Sequence, residues 1–129
     1  VFAMVQPALA SESATAAAVL TKAALRAAQL LGLTHAALAR TVGVSESHVS
    51  RMAAGQRLLE PGTKPAELAA LLVRVYRSLD ALVGNSDRHR QLWMDSYNRA
   101  FNEAPREAIQ RVEGLVRVVR YLDGARAPL

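Results

Sequence analysis

The chain has 129 residues, a hydrophobic fraction of 51% that is rich in alanine, and no cysteine. This length allows one domain, or two small helical lobes that share a core, and the lack of cysteine excludes disulfide bonds and thiolate metal sites. The net charge of +5 is spread along the chain and favours anionic partners only weakly, while no apolar run reaches the roughly 18 residues of a transmembrane helix.

The first predicted element is a helix that begins near Ser11 or Ser13, either of which can cap it. Gly32 is a natural stop for this helix, and residues 1–12 are interpreted as an N-terminal tail. Apolar residues recur at helical spacing along one face: Ala17, Leu20, Ala24, Ala28 and Leu31.

Two short amphipathic helices with a glycine turn between them follow. Thr34 is placed to cap the first helix, Gly43 lies in the turn, and Ser45 is placed to cap the second helix. The apolar residues of both are spaced to bury against one core: Leu38, Ala39, Val42, Val44, Val49 and Met52. This pattern is typical of a helix-turn-helix that presents its second helix to the DNA major groove, so we predict a DNA-binding region over residues 13–62.

Base reading needs exposed hydrogen-bonding side chains at the start of the second helix, and phosphate contacts need helix N-termini and arginine. The predicted DNA-binding residues are Thr34, His35, Ser45, Ser47, His48, Ser50, Arg51 and Arg57. The plainer alternative is that these polar positions only solvate one face of a helical hairpin.

A long central helix is predicted over residues 63–84, with Pro65 in its first turn and Gly84 at its end. Its apolar face carries Leu68, Leu71, Leu72, Val75, Leu79 and Leu82. Asn85 or Ser86 opens another helix, which contains Leu92 and Trp93.

Two further helices are predicted near the end of the chain. Pro105 opens a short one, and Gly114 introduces the last one. The buried side of the last helix is predicted to carry Leu115, Val116, Val119 and Leu122. Because no stretch shows the alternation of a strand, the predicted fold class is all-α.

Three runs of residues resemble the Xre/MbcA/ParS family of antitoxins. They are LLVRVYRSLD at 71–80, WMDSYNRAF at 93–101 and GLVRVVRYL at 114–122. Their order is similar to that of the family: a central helix, a tryptophan helix with an asparagine loop, a helix opened by Pro105, and a glycine-led helix ending in Tyr-Leu. The resemblance extends from about Leu20 to Leu122.

The resemblance implies a type II antitoxin with an Xre-like helix-turn-helix DNA-binding lobe followed by a small helical toxin-binding lobe over residues 85–129. Its implied partners are a cognate RES-domain toxin, which consumes NAD and whose active site the antitoxin blocks, and operator DNA, through which the pair represses its own operon. No cofactor of the antitoxin itself is implied.

The predicted toxin-binding residues are Arg106, Arg117, Arg120, Tyr121 and Arg126, because arginine and tyrosine combine contact area with directional bonding. We expect the last helix and the tail after it to block the toxin's cleft. The alternative is a solvated helix face with weak pairs such as Glu113 with Arg117. Trp93 is predicted to be a core residue.

Other functions are less consistent with the sequence. The three histidines form no acid–base or metal pattern, so we do not expect an enzyme. The main alternative is a free-standing, phage-type helix-turn-helix repressor whose C-terminal half dimerises, and a third is a helical scaffold that does not bind DNA. Since one helix-turn-helix contacts few bases, we expect a homodimer or a toxin–antitoxin hetero-oligomer. The contact between copies is expected through the first helix or the long helix. We expect the protein to act in the cytoplasm, without membrane contact.

Overall fold

The computed structural model describes residues 2–126, with side chains from residue 12 onward. Within that range the chain forms α1 (Phe2–Leu30), α2 (His35–Val42), α3 (Glu46–Ala53), α4 (Lys64–Val83), α5 (Asp87–Asp95), α6 (Pro105–Ala108) and α7 (Val112–Arg126). No β-strand occurs between residues 2 and 126, where one isolated antiparallel bridge joins Asn98 to Glu103. The predicted all-α fold class is confirmed.

The first helix is longer than the sequence pattern predicted. It begins at Phe2, so the predicted start at Ser11 or Ser13 is wrong, and most of the segment assigned to a tail, residues 1–12, lies within α1. Alanine has the highest helix propensity, and a serine caps a helix only where the backbone leaves the helical conformation. The predicted buried stripe is confirmed, with Leu20 packed against the core and the others at most 5% exposed: Ala17, Ala24, Ala28 and Leu31.

The predicted helix-turn-helix is formed by α2 and α3. Thr34 caps α2 by accepting a hydrogen bond from the Ala37 N–H at 3.0 Å, and Ser45 caps α3 by accepting one from the His48 N–H at 3.0 Å. Gly43 ends α2 with a φ of 76°, which only glycine adopts readily. The predicted core side chains are confirmed: Leu38, Ala39, Val42, Val49 and Met52 are buried, and Val44 packs against them.

The long central helix, α4, is the spine of the fold and packs against α1, α2, α5 and α7. As predicted, Pro65 lies in its first turn and Gly84 ends it. Most of the predicted apolar face is buried or packed against the core: Leu68, Leu71, Leu72, Val75 and Leu79. Leu82 is an exception, since it is 44% exposed in the last turn of the helix.

A buried arginine attaches α5 to α4. Ser86 caps α5, and Arg90 on the next turn is 1% exposed. The Arg90 guanidinium donates hydrogen bonds to Asp80 at 3.1 Å and to Asp87 at 2.6 Å, and it lies 5.5 Å from the centre of the Tyr76 ring. Because a buried charge is tolerated only when it is paired, these contacts fix the position of α5.

The last helix, α7, begins at Val112, so Gly114 lies inside the helix and does not introduce it as predicted. A Cβ on Gly114 would lie 2.0 Å from the Ala108 carbonyl oxygen, so the glycine is required by the close approach of α7 to α6. Leu115, Val119 and Leu122 are buried as predicted, whereas Val116 is only half-buried and Val118 takes the core position.

Side chains of the second half of the chain bind the carbonyl groups at the end of α1. Arg106 donates hydrogen bonds to the carbonyl oxygens of Gly32 at 2.6 Å and Leu31 at 3.2 Å, and Gln91 donates one to that of Leu30 at 2.8 Å. Helix C-termini leave such carbonyls without partners, so these bonds cap α1. The cap therefore connects α5 and α6 to the end of α1, just before the chain enters α2.

Two other contacts hold the helix-turn-helix in place. Arg40 on α2 donates a hydrogen bond to the Gln110 side chain at 2.6 Å, which extends the attachment to the second half of the chain. Between α3 and α4, the buried Thr21 hydroxyl of α1 accepts a hydrogen bond from the Leu59 N–H at 2.8 Å. The connecting segment therefore has a fixed anchor although most of its residues are exposed.

We predict that Gly114→Ala destabilises the protein by about 1–3 kcal/mol, because the added methyl group must push α7 away from the Ala108 carbonyl. The measurement is the free energy of unfolding in urea. Gly124→Ala in the same helix is the matched control: nothing lies within 4 Å of its Cβ, so we expect no loss and a gain of a few tenths of a kcal/mol. Equal stability of the two variants would contradict the packing argument.

Candidate functional site

The polar outer surface of α3 is formed by Ser47, Ser50 and Arg51, which we call the α3 face. These residues are spaced by three and four positions, so they lie on one side of the helix, and all three are exposed. Within the part of the chain that the structure describes, Arg51 makes no ion pair or hydrogen bond through its side chain. The α3 face thus offers two hydroxyl groups and a free guanidinium, which can bind base edges and phosphates.

Residues around the α3 face have more restricted roles. Thr34 and His35 are exposed at the start of α2, where a helix N-terminus favours an anion. The Ser45 hydroxyl is held by the α3 cap and lies 3.1 Å from that of Ser47. Arg57 is exposed just beyond α3. Of the predicted DNA-binding residues, the structure thus places Ser47, Ser50 and Arg51 together on the α3 face, while the others, except His48, flank α3 or lie at the start of α2.

His48 is turned away from the α3 face. Its side chain is partly buried, and its Nε2 atom is buried without a hydrogen-bond partner, next to a cavity lined by Arg57, Leu59 and Thr63 among others. Burial, and then the positive charges of Arg57 and Arg51, lower the pKa of His48 below 6.5. The imidazole is therefore neutral at neutral pH, and it supports α3 from the inner side.

A cluster of three aromatic rings lies between α5, the loop after it and α7. The ring centres of Trp93 and Phe101 are 6.2 Å apart, those of Trp93 and Tyr121 are 6.3 Å apart, and those of Phe101 and Tyr121 are 5.3 Å apart. Phe101 is buried, Trp93 is half-buried, and Tyr121 is 44% exposed. Tyr121 is thus held in place by the two rings beneath it while it contacts solvent.

Arg117 and Arg120 flank Tyr121 on the exposed side of α7, and we call these three residues the α7 face. Neither arginine has an ion pair or a side-chain hydrogen bond among the residues that the structure describes. Near them, Arg111 is paired with Glu103, and this hydrogen bond lowers the pKa of the Glu103 carboxyl. The two carboxylates beside Arg111, those of Glu103 and Glu113, are therefore paired with it, and the two arginines of the α7 face remain free to bind a partner.

The other two arginines that we predicted to bind the toxin are engaged inside the protein. In addition to capping α1, Arg106 donates hydrogen bonds to Asp95 at 2.6 Å and to Gln91 at 3.2 Å, and its side chain is only 22% exposed. Arg126 donates one to the Ser78 hydroxyl at 3.0 Å. The structure does not bring these two guanidinium groups to the α7 face.

Sequence reasoning missed part of this surface. Trp93 packs against the core as predicted, but it also supports Tyr121 from below. Several large hydrophobic residues of the second half of the chain are more than 40% exposed: Leu92, Tyr97, Val112 and Tyr121. Exposed apolar residues of this size can mark a surface that binds another protein. The helical period alone does not distinguish such positions from core positions.

The described part of the chain contains neither a cluster of potential metal ligands nor a membrane-spanning helix. Among those residues, no three acidic or histidine side chains come together in a group that could hold a metal ion. None of the helices described combines the length and the apolar character needed to cross a bilayer. Residues 127–129, which form the end of the predicted blocking tail, lie outside the described residues.

Two protein-family models match successive parts of the chain. Residues 10–74, about half of the chain, match the antitoxin Xre-like helix-turn-helix domain. Residues 78–127 match the antitoxin Xre/MbcA/ParS C-terminal toxin-binding domain. No curated protein matches the chain at a significant level of similarity. The first match contains the α3 face and the second contains the α7 face.

We predict that His48 titrates below 6.5 in the folded protein, as measured by NMR of its imidazole protons. Because the unfolded chain then binds a proton at a higher pH than the folded chain, the free energy of unfolding falls as the pH drops below about 6.5. This loss levels off below the pKa of the folded state. His48→Gln should remove that component, whereas His89→Gln, at an exposed position on α5, should not.

Arg57→Gln tests the cause of this shift, since the charge of Arg57 lowers the pKa of His48 more than that of Arg51 does. We expect the pKa of His48 to rise toward 6.5 in that variant, with part of the shift left because burial remains. A His48 pKa at or above 6.5 in the unmodified protein would contradict the inward orientation of the imidazole.

Proposed function

The chain belongs to the Xre/MbcA/ParS family of antitoxins, and on that premise we propose that it neutralises a RES-domain toxin that degrades NAD and represses its own operon. The observation that carries this proposal is that two separate exposed surfaces, the α3 face and the α7 face, fall in the two parts of the chain that match a helix-turn-helix and a toxin-binding domain. Both proposed partners are cytoplasmic, and we expect the protein to act there.

The proposed operator contact is made by the α3 face. In a helix-turn-helix the second helix enters the major groove, and its outer side chains bind base edges. Arg51 has the reach and the two parallel donors that bind guanine, and Ser47 and Ser50 can donate to or accept from any base. Exposed groups at the start of α2 and at Arg57 are suited to the phosphate backbone on either side.

The proposed toxin contact is made by the α7 face. Tyr121 combines a large rigid ring, backed by Trp93 and Phe101, with an exposed hydroxyl, and such supported aromatic residues are common centres of protein interfaces. Arg117 and Arg120 add unpaired donors on either side of the ring. We infer that these residues, and not the internally bonded Arg106 and Arg126, contribute most of the binding energy.

An NAD-degrading toxin fits the chemistry of this face. The substrate of such a toxin carries two aromatic groups, adenine and a positively charged nicotinamide, joined by an anionic diphosphate, so its cleft accepts flat rings and, at the nicotinamide end, a cation. The α7 face presents one ring and two guanidinium groups, which match these two requirements. An antitoxin that fills the cleft in this way keeps NAD out without any chemical reaction of its own.

The proposed function is tested in bacteria that carry the chain together with the product of the adjacent toxin gene. Expression of the toxin alone should arrest growth and deplete cellular NAD, and co-expression of this chain should restore both. The two proteins should copurify. If the adjacent toxin leaves NAD unchanged, the RES assignment is wrong, and if the chain does not restore growth, the antitoxin function fails.

We predict that Arg51→Ala weakens binding to the operator by about tenfold or more. If the side chain contacts phosphate, the slope of the logarithm of the binding constant against the logarithm of the salt concentration should also fall by about one. The measurement is a fluorescence anisotropy titration at two salt concentrations. Binding to the toxin should be unchanged. Arg120→Ala removes the same charge from the α7 face, so it serves as the control, and equal effects of the two variants on operator binding would contradict the role of the α3 face.

We predict that Tyr121→Ala weakens toxin binding by about 30-fold, the size of a typical hot-spot loss, while operator binding is retained. Surface plasmon resonance on the immobilised toxin measures this. Since the ring also packs on Phe101, Arg120→Glu provides a second variant that leaves the aromatic cluster intact. If both variants bind the toxin as tightly as the unmodified chain, the α7 face is not the contact.

A further inference from the structure

The side of α1 opposite the core has no partner within the described part of the chain. Glu12, Val19 and Arg26 are separated by seven residues each, so they lie in one row along this helix. All three are exposed, Val19 to 63%, and between them run Ala16, Lys22 and Ala23. We call this row the outer α1 face.

The exposed part of this helix extends toward its N-terminus. Ala17 is 5% exposed, whereas residues 12–16 are all exposed, with Ser13 and Ala14 lining a cavity beside the segment that connects α3 to α4. An isolated helical segment in water is marginally stable even when it is rich in alanine. A helix of this length therefore gains most from a second surface that lies along it.

The other long helix is less suited to such a contact. α4 packs against α1, α2, α5 and α7, and the side that it leaves exposed carries charged residues such as Lys64, Glu67, Arg74 and Arg77, with no exposed large apolar residue before Leu82. The exposed side of α7 is assigned to the toxin under the proposed function. We predicted contact between copies through either the first helix or the long helix. Of these two, α1 has an open apolar surface, which is a shallow groove lined by Val19, Ala23 and Leu25 among others.

We propose that two copies of the chain pair through the outer α1 face with their helices antiparallel and centred on Val19. The charges select this arrangement. In an antiparallel pair with Val19 opposite Val19, Glu12 of each copy lies opposite Arg26 of the other, because both are seven residues from the centre. A parallel pair in register would place Glu12 beside Glu12 and Arg26 beside Arg26.

The pairing is sterically allowed by the residues of the row. On one side of Val19 the neighbouring side chains are alanines, Ala16 and Ala23, which let two helices approach to the usual distance of about 8–10 Å between axes, and Lys22 flanks Val19 on the other side. Arg26 is available for the new contact, since its only hydrogen bond among the described residues is a long one of 3.5 Å to Gln29 on the same helix. Two such copies carry two α3 faces, which the proposed operator binding requires.

The experiment exchanges the two charges of the row in the full-length chain. In a homodimer of Glu12→Lys, the new ammonium group of each copy lies opposite Arg26 of the other, and in a homodimer of Arg26→Glu two carboxylates face one another at each end. We expect each variant to dimerise about tenfold more weakly than the unmodified chain, by sedimentation equilibrium at low salt. An equimolar mixture of the two variants should recover much of the original affinity as a heterodimer. Each homodimer has two facing pairs of like charge, whereas in the heterodimer both facing pairs join a cation to a carboxylate.

Matched controls make the result specific. Arg88→Glu changes an exposed charge on α5, away from the row, and should leave dimerisation unchanged. Val19→Asp should weaken the dimer in every combination. The proposal is overturned if the unmodified chain is monomeric at about 0.1 mM, a concentration far above the Kd of specific dimers. It is also overturned if the single variants dimerise normally, or if the mixture shows no preference for the heterodimer.

The α1 pairing rests on the proposed function, because operator binding is what requires two copies, but the two proposals are tested separately. Sedimentation requires neither DNA nor toxin, and toxin neutralisation by Glu12→Lys should equal that of the unmodified chain, because the α7 face is untouched. A failed charge exchange with intact neutralisation rejects the α1 pairing alone. A normal charge exchange with no neutralisation rejects the antitoxin function alone.

Discussion

The hydrogen bonds of one guanidinium determine how the two halves of this antitoxin are joined. Arg106, on the short helix α6, binds the carbonyls of Leu31 and Gly32 at the end of α1, and also Asp95 and Gln91. Immediately after these carbonyls the chain enters α2. The helix-turn-helix therefore starts from a point that is fixed by the second half of the chain, and each bond to a charged donor is worth about 1.5–3 kcal/mol.

This attachment explains how a small all-α protein can present two surfaces with different partners. α4 packs against helices of both halves, so the DNA-binding and toxin-binding parts share one core rather than two domains on a linker. The buried Arg90 and its two aspartates add a second connection, between α4 and α5. The match of the second half to a toxin-binding domain also favours an antitoxin over a free-standing repressor.

Much of the fold could be predicted from the sequence because its signals are local. The caps at Thr34 and Ser45, the turn at Gly43 and the apolar spacing of α2 to α4 depend on residues three or four positions apart. The inward orientation of His48, the internal bonds of Arg106 and the role of Gly114 depend on contacts between distant segments, which no local pattern records. For the same reason, sequence identified Tyr121 as an exposed residue but not the two rings that support it.

Native-state hydrogen exchange tests most directly whether the two halves form one cooperative unit. If they share a core, the slowest amides of α1 and of α7 exchange through the same global unfolding, with equal free energies of opening. Arg106→Ala should then lower both values by the same amount. Two distinct free energies in the unmodified protein, or a loss confined to α1 and α2 in the variant, would show that the halves fold independently and would contradict this account.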